Sequence, residues 1–332
     1  MTVEVKQLTA DEVRNLIKKR RQLDVEQEIE AISAKYQYVR PFTLAAKGYL
    51  DLVTNPEGRF MLGLQDVDAK TRGFGRGELI YITGRAHSGK TQVVMNALNN
   101  NPQAKVIFFT PDEVKELILA KLVALRYGVS AEDVERLVKL GDEQMIRLIH
   151  QTTEVFRNLI VIDDSLTLQQ MRVAVEEARD LWGHHGDAVV IDFLELIPGE
   201  ADSTGVAQKS QDLKRWTKEV DLPVICLHQA SRSSGDRGKA AGMGAMRYGG
   251  ESEAIFVLEV YRKRENPDLT EHERALEANS VTINVAKNKR PPCHTGEVDY
   301  FLDPDTGLIR PFQPDDRTVV RPDRVIEMLG GR

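Results

Sequence analysis

Cysteine is scarce: the chain has two, Cys226 and Cys293. Two thiols cannot form a disulfide framework and fit a reducing compartment, so a cytoplasmic protein is expected. Cys226 lies in the apolar run Val224-Ile225-Cys226-Leu227 and reads as a small core residue. Long apolar runs are also missing. None approaches the ~20 residues that cross a bilayer, and Met1-Thr2-Val3-Glu4-Val5-Lys6 lacks the apolar centre of a signal peptide. No membrane partner is expected. Positive charge is not in excess, since the net charge is −6. Any nucleic-acid contact must therefore come from local basic segments. His87, His184 and His185 show no metal-ligand spacing with the cysteines, which argues against zinc. No internal repeat or low-complexity tract is visible. What remains is a globular composition, 41% hydrophobic and 29% charged over 332 residues, enough for one large domain or two small ones.

The chain is organised around Gly84-Arg85-Ala86-His87-Ser88-Gly89-Lys90-Thr91. This fits G-x-x-x-x-G-K-[ST] at every fixed position. An apolar, β-rich segment precedes it, Glu78 to Thr83, and a helix-like one follows, Gln92 to Leu98. Strand, glycine loop and helix form the context of a phosphate-binding loop. Glycines let backbone N–H groups turn inward around an anion, and the helix N-terminus adds positive potential. Lys90 is placed to reach the β- and γ-phosphates of ATP, and the Thr91 hydroxyl to ligate Mg²⁺.

Residues 1–40 are highly charged and read as a helical arm, opening on the capping pattern Thr9-Ala10-Asp11-Glu12. Such a polar arm cannot build a core and is expected to pack on the main domain or on a neighbouring subunit. Residues 41–312 read as the main domain and 313–332 as a tail. Glycine-rich turns connect Gly48 to Gly77. From Glu78, strands at 78–83, 105–110, 158–163, 187–192 and 223–228 alternate with helices at 90–100, 111–127, 131–140, 142–155, 167–182 and 206–220. Continuous apolar strands alternating with helices predict an α/β fold with a parallel sheet covered on both faces. Strands near 253–260, 280–286 and 297–302 are expected to extend it in antiparallel fashion.

Four further stations carry chemistry. Ala188-Val189-Val190-Ile191-Asp192 is a buried strand ending in an acid, at the edge where open α/β sheets bind ligands. Asp192 is expected to hold Mg²⁺ through water beside Thr91. Phe108-Phe109-Thr110-Pro111-Asp112-Glu113 ends the next strand. Either acid could orient and deprotonate a water; the competing reading makes both helix-start acids favoured by the dipole. Gln229, closing Leu227-His228-Gln229, could sense the γ-phosphate and signal it to the loop 230–250. That loop carries Arg232, Arg237, Lys239 and Arg247, with glycines at 235, 238, 242, 244, 249 and 250. Flexible basic loops suit sequence-independent phosphate contacts, and Tyr248 could stack on a base or simply pack. Last, Ala286-Lys287-Asn288-Lys289-Arg290 ends a strand, and its cations could serve a neighbour's ATP site.

In this order the stations resemble the C-terminal, RecA-like motor domain of DnaB-type hexameric replicative helicases, in a bacteriophage version. The matching segments are Gly77 to Arg85 with the loop that follows, Phe108 to Glu113, Val190 to Ile197, Leu213-Lys214, Leu222 to Arg232, Arg247 with Gly250, and Ala286 to Lys289. They span roughly residues 60–312. The resemblance implies a RecA-like P-loop core, an ATP-hydrolysing DNA helicase acting in replication, a homo-oligomeric ring with ATP between subunits, and single-stranded DNA in its channel. It implies that Asp112 matches the catalytic glutamate with Glu113 one residue off register, and that Gln229 senses phosphate. It also places Arg247, Tyr248 and Gly250 at the DNA-contacting loop, and makes Lys287, with Lys289 or Arg290, act in trans.

The departures have consequences. Asp112 is shorter than the family's glutamate. The family's finger arginine aligns with Lys289, and lysine cannot form a bidentate fork. The globular primase-binding domain of the bacterial proteins has no counterpart here, which leaves a primase or loader partner open. Two rival readings share the core: a RecA/RadA-like recombination ATPase forming filaments on DNA, and a nucleotide-gated replication scaffold or loader with weak ATPase.

Overall fold

The computed structural model describes residues 58–313, apart from 184, 201, 231–237 and 241–251, together with Phe42, Tyr49, Leu50, Thr54 and Asp316. The expected arm over 1–40 lies outside the described residues, as does the tail beyond Gln313 except for Asp316. Chain contacts group 1–57 as one unit and 58–332 as a second. In the first unit, Thr54 Oγ1 donates to the Leu50 carbonyl at 2.7 Å.

The second unit is built on a nine-stranded sheet of order β3-β2-β4-β5-β1-β6-β7-β8-β9. The strands are β1 Leu79–Gly84, β2 Val106–Phe109, β3 Leu159–Ile162, β4 Ala188–Ile191, β5 Val224–Gln229, β6 Phe256–Tyr261, β7 Ser280–Asn288, β8 Gly296–Leu302 and β9 Ile309–Arg310. β1, β2, β4 and β6 are buried along their whole length. Their side chains alternate between two cores, as the two-residue period of a strand requires. Ile80, Ile82, Phe108, Val190, Ile225 and Leu227 face one core. Leu79, Tyr81, Phe109, Val189, Ile191 and Cys226 face the other.

Helices cover both faces. α1 (Gln65–Thr71), α2 (Lys90–Asn100) and α3 (Lys115–Tyr127) close the first core through Val67, Val94, Leu98, Ile118 and Leu122. α4 (Ala131–Lys139) and α5 (Glu143–Val155) pack with α3 around Val123, Val134 and Met145. α6 (Leu168–Trp182) and α7 (Ser203–Val220) close the second core through Met171, Val175, Leu213 and Trp216. α8 (Glu271–Leu276) follows β6.

Three expectations need correction. β6 runs parallel to β1, and the antiparallel run begins at β7. The connection from Gln229 to Phe256 is long enough for a crossover, which returns the chain to the same edge of the sheet in the same direction. Helix α3 begins at Lys115, not at 111; Pro111 and Asp112 are the corners of a turn closed by Glu113 N–H donating to the Thr110 carbonyl at 3.3 Å. The connection 48–77 holds helix α1, stabilised by Asp68, whose carboxylate accepts from the Leu62 and Gly63 N–H groups at 2.9 and 2.7 Å.

Candidate active site

The parallel strands place their C-terminal ends along one edge, and the loop 84–89 leaves β1 there. Gly84 is required by space: a Cβ would sit 2.3 Å from the Val260 carbonyl oxygen and 2.4 Å from Ser88 Oγ. Gly89 is required by conformation, with φ +103° at the cap of α2. The Ser88 hydroxyl is buried without a partner among the described residues. A buried donor in a glycine cradle at a helix N-terminus fits an anion.

Lys90 opens α2 and is buried. Its Nζ donates to the carbonyls of Gly84 and Arg85, each at 2.9 Å, which holds the cation across the loop. Burial lowers its pKa, and the charges of Asp192, Glu195 and Asp112 partly restore it. Thr91 Oγ1 donates to Asp192 Oδ2 at 2.9 Å. The two residues expected to share a cation are thus brought together from separate elements. Asp192 is placed by the ladder, its N–H donating to the Phe109 carbonyl at 2.9 Å just beyond β4.

Burial pushes the Asp192 carboxyl up to about 6, against the opposing pull of the Thr91 hydrogen bond and Lys90. The folded protein therefore holds this proton to higher pH than the unfolded chain. Stability contributed by the protonated form is present below the unfolded value near 3.8 and is lost as pH rises through about 6. In cation-free buffer, Asp192→Asn is expected to match wild type near pH 4 and to exceed it by up to about 3 kcal/mol at pH 7. Urea melts of both proteins across that range check this.

The two acids after β2 differ. Both carboxylate oxygens of Glu113 accept from Lys121 Nζ on α3. Asp112 is exposed and takes no hydrogen bond among the described residues, and its charge acts on both Lys90 and Asp192. Gln229 closes β5 opposite Gly84. Its backbone N–H donates to Glu195 Oε1 at 3.0 Å, while its side chain takes no hydrogen bond among the described residues. A cavity of about 380 Å³ lies beside α2, lined in part by Gln92, Lys121, Arg262, Asn279 and Thr306.

The basic strand end lies elsewhere. β7 runs antiparallel to β6, so Lys287 and Asn288 pair with Val257 and Phe256 at the sheet edge opposite the loop 84–89. By register Lys287 is level with Tyr81 and Asn288 with Ile80, roughly 10 and 13 Å along the sheet from Gly84. Lys289 is exposed and donates to the Ser252 carbonyl at 2.9 Å. Arg290 is drawn inward. Its guanidinium donates to the carbonyls of Thr71 and Gly73 at 2.7 and 2.8 Å, pairs with Glu78, and lies 5.0 Å from the Phe256 ring centroid. Arg290→Ala is expected to cost about 3 kcal/mol, since it leaves Glu78 half-buried without its cation. A lowered urea midpoint would show it.

Among the candidate DNA contacts, Lys239 is described and pairs with Asp268 at 2.7 Å. Arg232, Arg237, Arg247, Tyr248 and Gly250 lie outside the described residues. The roles of Glu195 and Lys121 are missed by sequence motifs. Each acts on a motif residue from a neighbouring element, and no spacing rule connects them.

A phosphate loop at the C-terminal edge of a mostly parallel sheet, with a threonine and a strand-end aspartate in contact beside it, defines a P-loop protein of RecA-like fold. The chain belongs to the DnaB-like helicase C-terminal domain family, whose model matches residues 60–304. It is 28% identical over 273 residues to the replicative DNA helicase DnaB of Rickettsia felis, covering 73% of this chain and 55% of that protein. The chain thus spans about half the length of that relative. In fold it is similar to a DnaB-like replicative helicase described with its primase interactions, with TM-score 0.67, 18% identity, and coverage of 90% of this chain and 78% of that one. A second solved structure, an isolated ATPase domain, is similar with TM-score 0.70 and 18% identity, covering 83% of this chain and all of that one.

Proposed function

We propose that this chain is an ATP-driven motor that assembles as a homo-oligomeric, hexameric ring, moves on single-stranded DNA and separates duplex strands during DNA replication, as a bacteriophage protein working in the host cytoplasm. The observation that carries this reading is the placement of charge at two sheet edges. The phosphate loop, Asp112, Asp192 and Gln229 gather at one edge, and Lys287 and Lys289 stand at the other. Lys289, level with Leu79, lies roughly 17 Å along the sheet from its own loop and cannot serve that loop. It can serve the loop of the next subunit, which makes a ring of seams the economical arrangement.

At each seam Lys90 grips the β- and γ-phosphates. Thr91 and Asp192 would hold Mg²⁺, which neutralises phosphate charge when bound. Asp112 orients the attacking water and accepts its proton; Glu113 is already engaged by Lys121. Gln229 reports the γ-phosphate to the loop after β5, where Arg232, Arg237, Lys239, Arg247, Tyr248 and Gly250 face the DNA. The cavity beside Gln92 has the volume of a small-ligand pocket, about 300–1,000 Å³, and receives the nucleoside. Lys287 and Lys289 act on the neighbour's phosphates, and Arg290 keeps its structural place. Residues 1–40 join subunits, and a primase or loader is the further partner.

Unwinding of a forked DNA with ATP tests the reading. Strand separation by wild type and none by Lys90→Ala supports it. ATP turnover without strand separation or DNA stimulation favours a replication scaffold instead.

A further inference from the structure

β4 ends at Ile191, paired with Cys226, while β5 runs on to Gln229. On its other flank β5 stays paired with β1: Gln229 sits opposite Gly84, and the Ala230 N–H donates to the Gly84 carbonyl at 3.0 Å. Successive amides of a strand point to opposite flanks, so the Gln229 N–H faces the side where β4 has no carbonyl left to offer. Glu195 supplies the missing acceptor. It lies in the short 3-10 turn Leu194–Leu196, directly after Asp192 and Phe193. One oxygen, Oε1, accepts from the Gln229 N–H and contacts His228 Nδ1, both at 3.0 Å. His228 is fully buried and the Glu195 side chain is 13% exposed. Glu195 Oε2 and His228 Nε2 are buried with no partner among the described residues. A carboxylate held under cover with one oxygen unused costs stability, so its place calls for a reason beyond packing.

Resting on the reading of a DNA-coupled ATPase, we propose that Glu195 is a positioning residue: it ties the Asp192 turn to the main chain of Gln229 and carries nucleotide state into the loop after β5. The tether fixes the backbone of Gln229 and leaves its side-chain amide free to meet phosphate. A shift of the Asp192 turn then moves the end of β5, and with it the start of the basic loop. Glu195 also acts on Lys90 by charge, so it stands between the phosphate-gripping lysine and Gln229.

The test is ATP turnover with and without a single-stranded oligonucleotide, with binding of a fluorescent ATP analogue measured beside it. Glu195→Gln keeps an acceptor for the Gln229 N–H; Glu195→Met fills similar volume without one. Coupling between sites is typically about 5–150-fold, so the Met variant is expected to lose DNA stimulation by about fivefold or more while analogue affinity stays within about twofold. The Gln variant is expected to keep most of the stimulation. Unchanged stimulation in the Met variant overturns the proposal. So does an equal fall of basal and stimulated rates in both variants, which would mark a merely structural role. The double variant Glu195→Met with His228→Met also removes the imidazole that loses its carboxylate contact and repeats the test; if urea melts show that neither Met-bearing variant folds, Glu195 is structural and the proposal fails. A wild type indifferent to DNA would instead sink the motor reading, so the two failures are distinguishable.

Discussion

Lys90→Ala is expected to lower ATP turnover by about 10²–10³-fold or more while leaving the fold intact. Lys90 is buried and held by two backbone carbonyls of the loop it must serve. In the proposed site it reaches the phosphates from a fixed position, so its charge would not have to be reorganised during reaction. Lys121 is committed to Glu113, Arg290 to the Thr71–Gly73 carbonyls, and Lys289 stands at the far sheet edge, so none of these three replaces it from within the subunit. Burial already lowers the pKa of Lys90, which means that the fold bears a cost for keeping it charged. Removing it should therefore not lower the urea midpoint. Steady-state turnover and a urea melt on one preparation separate the two effects; substantial turnover in the variant would contradict the site.

The second large effect separates Asp112 from Glu113. Asp112→Ala is expected to lower kcat by about 10²–10⁴-fold, the usual contribution of a general base. Glu113→Ala is expected to lower it by less than about tenfold, because both Glu113 oxygens face Lys121 rather than open space. Freeing Lys121 alters the cavity beside Gln92, so the Glu113 variant should act more on KM than on kcat. The opposite ranking would move the base to Glu113 and leave Asp112 as the acid of a turn. The turn geometry favours the first ranking. Pro111 and Asp112 form the corners of a tight bend, which projects the aspartate from the strand end without needing a longer side chain.

The loop 84–91 was legible in sequence because each of its residues does its work through local geometry. A glycine that must accept φ +103°, a lysine and a threonine at fixed spacing leave a local signature. Asp192 was legible because a run of buried apolar residues can end in a carboxylate only where the strand meets a site or solvent. Strand direction was not legible at β6. Alternation between two cores looks the same whichever way a strand runs, and only the crossover from β5 decides. Helix α1 was hidden because its glycine flanks read as turns, and the carboxylate that ties it down, Asp68 within the helix, reaches back to residues before it. Arg290 read as a candidate finger because sequence shows a cation after a strand. It does not show that Thr71, Gly73 and Glu78, distant along the chain, have already claimed its guanidinium. Glu195 leaves no sequence signature for the same reason: its partner is a backbone amide that lacks a neighbour only because β4 is shorter than β5.

The proposed motor rests on a catalytic seam that one subunit cannot complete alone. Per-subunit ATP turnover, measured across a wide range of protein concentration with and without single-stranded DNA, tests this most directly. The expected curve rises steeply as rings assemble and rises further with DNA. A flat curve from a protein that remains monomeric, with the same rate whether DNA is present or not, would contradict it.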